Sequence, residues 1–205
     1  MISKHVVTFT QNLARLILIP FFFIVFRMKL AYTRPRWRQG PVIVASNHRT
    51  VYDPPMIGVL SFQTFYYMAK KELFKNPLAA AILKAVGSFP VNRAVFDMKS
   101  LTAMQQILKN KGCVFLFPEG TRSRDDDVRP GKPGIGFLLD STGYPPVVPV
   151  RLWTEKRKGK RRSFRILYGG AFCINKNHFQ KLDEKERYKA LGRAVTDVIG
   201  AMTWK

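Results

Sequence analysis

Val42-Ile43-Val44-Ala45-Ser46-Asn47-His48-Arg49-Thr50-Val51-Tyr52-Asp53 is an apolar run that passes directly into a polar turn, with two prolines after it. Residues 42–46 are predicted to form a buried strand that ends just before His48. A proline disfavours α geometry at the preceding residue, so we expect His48 and Asp53 on a connection that brings them together. An imidazole held by a carboxylate at one nitrogen can take a proton from a hydroxyl at the other. The stretch therefore predicts a general base, His48, oriented by Asp53.

A purely structural interpretation of the same residues is also open. Asp53 followed by Pro54 is also a good N-cap and N1 pair for a helix through residues 56–60, and His48 would then only satisfy a turn. A histidine and an aspartate at this spacing also occur together by chance. The choice between catalysis and helix capping therefore depends on motifs elsewhere in the chain.

The composition of the 205 residues, with 46% hydrophobic and 23% charged, is that of one globular domain and argues against a disordered chain. Lysine and arginine number 35 against 13 acidic residues, and the net charge of +22 indicates an anionic partner: nucleic acid, an acidic membrane surface or an acidic protein. Cys113 and Cys173 lie in apolar segments without metal-ligand spacing. We interpret both as small core residues in a reducing compartment, with neither a disulfide framework nor a metal site.

The N-terminal region has an unbroken apolar run over residues 16–26, bracketed by Arg15 and Arg27. A run of this length is too short to cross a bilayer, whose hydrocarbon core needs about 20 residues, and Pro20 would kink the helix. With its basic flanks the run is typical of an interfacial anchor, and a helix packed on the core is the alternative. Residues 1–40 are therefore predicted to be a membrane-associating helical segment and basic connector, and residues 41–205 an α/β domain.

The rest of the chain alternates between strand and helix patterns. Strands are predicted near residues 42–46, 64–68, 89–91, 113–117, 147–152 and 164–168. Helices are predicted to begin at the capping pair Asn76-Pro77 and at Asp97, and a closing helix is predicted over residues 184–202. The alternation predicts a central, mostly parallel sheet flanked by helices. Pro149 cannot donate a ladder hydrogen bond, so its strand is expected at an edge or a bulge of the sheet.

A second polar loop, Phe117-Pro118-Glu119-Gly120-Thr121-Arg122-Ser123, follows the strand that begins at Cys113. Open α/β sheets bind ligands where strands end in this way. Gly120 would let a ligand approach the backbone, Thr121 offers a hydroxyl, and Arg122 suits a phosphate. Glu119 could hold that arginine or a substrate hydroxyl, and a structured turn with a surface Glu–Arg pair is the alternative. Arg93, which ends Gly87-Ser88-Phe89-Pro90-Val91-Asn92-Arg93, is a second possible phosphate contact.

Taken in order, four stretches resemble the four motifs of the glycerolipid acyltransferase superfamily, and most closely those of the 1-acyl-sn-glycerol-3-phosphate acyltransferases. They are residues 48–53, 87–93, 117–123 and 147–150. Lys132-Pro133-Gly134 is similar to the lysine and glycine that follow the third motif in many members, whereas Asn92 departs from a frequent aspartate. The resemblance covers roughly residues 41–152.

The resemblance implies that an acyl thioester, either acyl-CoA or an acyl-acyl carrier protein, donates its acyl group to the sn-2 hydroxyl of lysophosphatidic acid. His48 would act as general base and Asp53 would orient it. Arg122 and Arg93 would hold the acceptor phosphate, while Glu119, Gly120 and Thr121 would shape the glycerol site. A Cys-His nucleophile is disfavoured because Cys113 lies in an apolar strand, and no metal or other cofactor is expected.

Other acceptors and another class of function stay open. Glycerol-3-phosphate or another lysophospholipid could replace lysophosphatidic acid as acceptor. A basic nucleic-acid-binding module is suggested by Lys156-Arg157-Lys158-Gly159-Lys160-Arg161-Arg162, although no recognised binding motif accompanies it. The apolar N-terminal run favours an anionic membrane surface over nucleic acid as the partner. We expect a monotopic or peripheral protein on the cytoplasmic face of the cell membrane.

Overall fold

The computed structural model of the chain describes residues 3–32, 40–61, 63–91, 97–123, 127–155 and 158–204. The strands of these residues are β1 (Arg27–Tyr32), β2 (Val42–Ser46), β3 (Tyr66–Lys70), β4 (Ser88–Val91), β5 (Cys113–Leu116), β6 (Val147–Glu155) and β7 (Ser163–Tyr168). Their α-helices are α1 (Lys4–Val25), α2 (Asp53–Leu60), α3 (Pro77–Ala85), α4 (Met98–Lys109), α5 (Pro133–Ser141) and α6 (Glu184–Ala201). Short 3₁₀ helices lie at Lys71–Phe74 and Lys176–His178.

The strands form one sheet in the order β1-β7-β6-β2-β5-β3-β4. Every neighbouring pair is parallel except β6 and β7, which are antiparallel. The predicted α/β class with a mostly parallel central sheet is therefore confirmed.

The central strand β2 shows why the sheet lies between two layers of helices. Val42 and Val44 face a core shared with α1 and α2, whereas Ile43 and Ala45 face a second core shared with α4, α5 and α6. A strand buried on both faces needs apolar residues at successive positions rather than at alternate ones. The continuous apolar run before His48 is thus explained by the position of β2 in the middle of the sheet.

Helix α1 packs on the domain through polar side chains. Gln11 donates hydrogen bonds to the carbonyl oxygens of Phe65 (2.7 Å) and Val86 (2.9 Å). Arg15 is also buried and donates to the carbonyl oxygen of Gln63. Burial of these groups is tolerated because each finds a backbone acceptor. Gln11 and Arg15 therefore face the protein, together with the buried Val7 and Phe22.

From Leu13 onward the outward face of α1 is apolar, which reverses the usual pattern of a surface helix. Leu16, Ile17 and Ile24 are 74%, 62% and 70% exposed. The helix has 22 residues, twice the apolar run noted in the sequence, and its buried Arg15 does not face outward. Within the described part of the chain, α1 is the one helix long and apolar enough to cross a membrane, judged by length and composition alone. The sequence argument that this segment is too short to span is therefore wrong, although its interfacial position stays a prediction.

Strand β1 was not predicted. Residues Arg27–Tyr32 follow α1 and pair in parallel with β7, from Arg27 opposite Ser163 to Tyr32 opposite Tyr168. The end of the N-terminal segment is thereby joined to the sheet, and residues 34–39 of the basic connector lie outside the described residues. The division of the chain at residues 40 and 41 stays a prediction.

Two expectations are wrong. Pro149 was expected at an edge or a bulge, yet its strand β6 pairs with β2 on one side and β7 on the other. The carbonyl of Pro149 accepts from the N–H of Gly169, just beyond the end of β7. The missing N–H of the proline therefore lies where the ladder between β6 and β7 stops, and the proline is tolerated there. Cys173 was expected in the core and is exposed, because the segment that follows β7 runs over the surface.

Candidate active site

The two predicted polar loops meet because β2 and β5 are neighbours in the sheet. Ala45 pairs with Leu116, so both strands end at the same edge. The backbone N–H of Ser123 donates to the carbonyl oxygen of His48 at 2.8 Å, which joins the loops directly. The carboxyl edge of these parallel strands is where open α/β sheets bind ligands.

His48 and Asp53 form the pair that their spacing predicts. Nδ1 of His48 lies 2.8 Å from Oδ2 of Asp53, and both side chains are buried. A carboxylate accepts hydrogen bonds, so Nδ1 carries the proton and Nε2 carries the lone pair. The ring of His48 also stacks on Phe117, with centroids 3.9 Å apart and planes 13° apart. These contacts fix the orientation of the imidazole.

The carboxylate of Asp53 organises the whole turn rather than capping the helix that it begins. It accepts from the backbone N–H groups of Arg49 and Thr50, and from the Thr50 hydroxyl at 2.6 Å. The helix of the structural interpretation is present as α2, but its N-cap is Tyr52 rather than Asp53, Asp53 is its first residue, and no side chain caps it. Both interpretations of the spacing therefore describe part of the arrangement. Thr50 was given no role from the sequence, although a threonine three residues before an aspartate is a signal for such a turn.

Glu119 is a buried link between the two loops. One oxygen, Oε1, accepts from the backbone N–H of His48 at 2.9 Å, and Oε2 accepts from the N–H of Arg129 at 3.3 Å. The side chain is 3% exposed. Sequence reasoning gave Glu119 a part in the glycerol site, and the geometry gives its carboxylate a positioning contact to His48.

Gly120 lies beside Lys132. No role for Lys132 was predicted from the sequence. Gly120 has φ +68°, and a Cβ there would lie 2.9 Å from Cδ and 3.1 Å from Nζ of Lys132. The backbone N–H of Lys132 donates to the carbonyl of Pro118 at 2.8 Å. The positive φ favours glycine at this position, and a Cβ there would displace the flexible end of the Lys132 side chain.

The remaining predicted residues are Thr121, Arg122 and Arg93. Thr121 and Arg122 are exposed on the same loop as Glu119. Arg93 lies outside the described residues, so its predicted phosphate contact stays a prediction.

A cavity of about 220 Å³ lies beside His48. Most of its walls are apolar and come from β3, β4, β5, α4 and α5, with lining residues that include Tyr67, Met68, Val91, Leu101, Phe115 and Ile135. Among the described lining residues, the charged ones are Asp97 and Lys132. Burial raises the pKa of Tyr67 to about 12, so its hydroxyl is neutral at ordinary pH. An apolar cavity that ends at a histidine suits an acyl chain whose reactive end is next to the base.

Cys113 is unsuited to act as a nucleophile. Burial raises the pKa of its thiol to about 12, so almost no thiolate forms at neutral pH. Over the described residues, no group of three or more metal-ligating histidine, cysteine, aspartate or glutamate side chains is found. The expected reaction without a metal stays a prediction.

Known proteins resemble this chain in sequence and in fold. A family model described as Acyltransferase matches residues 25–153. The 1-acyl-sn-glycerol-3-phosphate acyltransferase of Bacillus subtilis (strain 168) is 32% identical over 146 residues, which are 70% of this chain and 70% of that protein. The chloroplastic protein of the same name from Brassica napus is 32% identical over 117 residues, 55% of this chain and 33% of that protein. A crystal structure of the 1-acyl-sn-glycerophosphate acyltransferase PlsC from Thermotoga maritima superposes with a TM-score of 0.66 at 22% identity, covering 95% of this chain and 81% of that one.

The matched region includes the His48–Asp53 pair and the loop that carries Glu119. These matches favour the acyltransferase interpretation over the nucleic-acid-binding alternative, since the latter rested on charge alone. They also confirm the resemblance found in the four motifs. Because the family match covers more than half of the chain and includes the paired histidine and aspartate, the chain belongs to the acyltransferase family.

Proposed function

We propose that this protein is a 1-acyl-sn-glycerol-3-phosphate acyltransferase, which moves a fatty acyl group from an acyl thioester to the sn-2 hydroxyl of lysophosphatidic acid and yields phosphatidic acid. The observation that carries the proposal is the His48–Asp53 pair, 2.8 Å apart, beside an apolar cavity. The names of the relatives support this choice of acceptor.

The proton transfers are assigned to His48. Its Nε2 takes the proton of the sn-2 hydroxyl while the hydroxyl oxygen attacks the thioester carbonyl carbon. Collapse of the tetrahedral intermediate breaks the C–S bond, and the imidazolium returns its proton to the leaving thiolate. The products are phosphatidic acid and a free thiol, so no acyl-enzyme is needed. Thioesters of coenzyme A and of acyl carrier protein both satisfy this chemistry.

Charged groups near the base are suited to the acceptor. The guanidinium of Arg122 can pair with a phosphate through two hydrogen bonds, and Arg93 is the second proposed contact. The ammonium of Lys132 lies against Gly120 and adds a cation at the cavity. In this arrangement the acyl chain of the donor occupies the apolar cavity, and the acceptor phosphate lies outside it.

The outward apolar face of α1 supports a position at the membrane. Its inward face is bound to backbone carbonyls of the domain through Gln11 and Arg15, so α1 lies along the protein surface. A helix with such an outward face rests in the boundary between headgroups and acyl chains. We place the protein on the cytoplasmic face of the cell membrane, where an acceptor with one acyl chain can enter sideways from the lipid.

An acyl-transfer assay tests the proposal. Purified protein is given lysophosphatidic acid, glycerol-3-phosphate or lysophosphatidylcholine, each with acyl-CoA and with acyl-acyl carrier protein, and the products are identified by mass. We expect phosphatidic acid from lysophosphatidic acid, and its loss in a folded His48→Ala variant but not in His178→Ala, which changes an exposed histidine. Preferred acylation of either other acceptor would replace the proposed substrate. Near-wild-type turnover by His48→Ala would overturn the mechanism.

A further inference from the structure

A basic groove lies at the β1–β7 end of the sheet. Among the described residues that line it, one is acidic, Glu155, and five are cationic: Arg27, Lys29, Lys160, Arg161 and Arg165. Lys29 and Arg165 are register partners on the neighbouring strands β1 and β7. Like charges that face each other across strands repel, so an anion between them would stabilise the arrangement.

The groove is continuous with the end of α1. Arg161 donates from its guanidinium to the carbonyl oxygen of Ile24, in the last turn of that helix. The backbone N–H of Arg27 donates to the carbonyl of Arg162 at 3.0 Å. The cations of the groove are therefore held against the C-terminal end of the helix with the apolar outward face.

The groove also lies at the edge of the sheet that carries the active site. Ser163, at the start of β7, pairs with Glu155, at the end of β6, and β6 is parallel to β2. The start of β7 thus lies on the side of the sheet toward which β2 runs, five residues along β6 beyond Val150, which pairs with Ser46. Phe26 connects the two places, since its ring centroid is 5.1 Å from that of Phe164 in the groove and 5.0 Å from that of Tyr52 in the His48 turn.

Exposed apolar side chains border this edge. Ile24 is 70% exposed at the end of α1, and Val51 and Tyr52 of the His48 turn are 61% and 41% exposed. A soluble acidic ligand would pair with the cations and leave these side chains in water. A membrane surface accommodates both, because acyl chains meet the apolar residues while lipid phosphates meet the lysines and arginines.

We propose that the β1–β7 groove binds the headgroup phosphates of anionic membrane phospholipids. This contact fixes the rotation of the protein about the axis of α1, so that the His48 turn faces the lipid. The inference rests on the proposed function only in that the orientation at the membrane would benefit catalysis. Binding to the membrane can be measured without any acyl transfer.

Two variants of equal net charge test the groove in the full-length protein. The groove variant carries Arg27→Gln, Lys29→Gln and Arg165→Gln, and the control carries Lys176→Gln, Lys181→Gln and Lys185→Gln. All six residues are exposed. None of the three control lysines lines the groove; Lys176 and Lys181 come after Phe172, which bridges to Val147 at the start of β6, and Lys185 is two residues before Arg187, which pairs with Asp140 near the end of α5. The length of a strand, about 17 Å, exceeds the Debye length of about 8 to 10 Å, so charges near the start of β6 are largely screened from the groove at its end.

Affinity is measured by flotation with phosphatidylcholine vesicles, with and without phosphatidylglycerol. We expect the groove variant to lose on the order of a hundredfold in affinity for the anionic vesicles and to match the wild type on neutral ones. The control should stay within about threefold of the wild type on both. Circular dichroism verifies that both variants are folded.

Three outcomes would overturn the inference. Equal losses of vesicle affinity in both variants would indicate an effect of net charge alone, and a loss of affinity that persists on neutral vesicles would show that lipid charge is not recognised. Unchanged vesicle affinity with a raised KM for acyl-acyl carrier protein would assign the groove to an acidic protein. Failure of the proposed function is distinguishable, because wild-type protein would then transfer no acyl group while the difference in vesicle affinity remained.

Discussion

The backbone N–H of His48 donates a 2.9 Å hydrogen bond to the carboxylate of Glu119, a residue 71 positions later in the chain. The second polar loop therefore holds the base of the first. The same carboxylate accepts from Arg129, so three segments meet at one buried side chain. Because β2 and β5 are adjacent and parallel, this contact connects the ends of two neighbouring strands.

Replacement of His48 by alanine is expected to lower kcat/KM by about 10² to 10⁴, the usual contribution of a general base, without unfolding the protein. Asp53→Asn should reduce it by a smaller but still large factor. An amide that donates to Nδ1 would favour the tautomer with a proton on Nε2, where the lone pair is needed. Steady-state kinetics with lysophosphatidic acid measure both effects, and His178→Ala is the control.

Glu119→Gln is expected to lower both stability and kcat. An amide has one acceptor oxygen, so either the buried N–H of His48 or the part-buried N–H of Arg129 would lose its partner, and loss at His48 would cost about 1–3 kcal/mol in the free energy of unfolding. Urea unfolding and kinetics check the two effects, with the exposed Glu72→Gln as control. A rise in the KM for the acceptor alone, at unchanged kcat and stability, would instead show that Glu119 binds substrate.

Arg122→Ala is expected to raise the apparent KM for lysophosphatidic acid far more than that for the thioester. A charge-assisted pair with phosphate contributes to binding of the acceptor and little to binding of the donor. Kinetics with monoacylglycerol, which has no phosphate, should show no such difference between variant and wild type. Arg193→Ala, at an exposed position of α6, is the matched control. Equal changes in both KM values would contradict the assignment.

Alkaline pH is expected to destabilise the protein in part through Cys113. Burial raises the pKa of this thiol from 9.0 to about 12, so the unfolded chain releases the proton first as the pH rises. The unfolded state then binds fewer protons, and the free energy of unfolding falls between these values, by on the order of 1 kcal/mol per pH unit. Cys113→Ala should remove this part of the slope, and Cys173→Ala, at an exposed position, should not. Both variants should retain acyl transfer.

Changing the outward face of α1 is expected to make membrane binding fully reversible by salt. Leu16→Gln, Ile17→Gln and Ile24→Gln remove exposed apolar groups and leave the inward face intact. Wild-type protein should be released from anionic vesicles only in part at high salt, because screening removes the electrostatic contribution and not the apolar one. The control is Met98→Gln, Leu182→Gln and Val198→Gln, on exposed residues outside α1. Complete release of the wild type by salt would contradict the interfacial position.

Local signals predicted much of this fold. Asn76 and Asp97 accept from the N–H groups of Ala79 and Ser100 at the starts of α3 and α4, as their capping patterns indicate. The strand before His48 and the turn to Asp53 also follow from neighbouring residues, because a buried run and a proline act over a few positions.

Contacts between distant segments were not predictable in this way. The strand β1 forms because β7 offers backbone groups along its edge with which it can pair. The helix α5, which no sequence pattern predicted, forms because α6 and α4 cover it. Arg15 was interpreted as a basic flank of an apolar run, yet it is buried against the carbonyl of Gln63.

The amino-acid pattern was sufficient to identify the α/β class, the acyltransferase motifs and the pairing of His48 with Asp53, since each depends on residue types at short, regular spacings. It left open which partners Glu119, Arg15 and Lys29 would meet. Those partners are 71, 48 and more than 100 residues away in the chain, and they are neighbours only because packing brings the strand ends and α1 together. A hydrogen bond or a charge contact depends on distance in space, which a linear pattern does not contain until the sheet order is known.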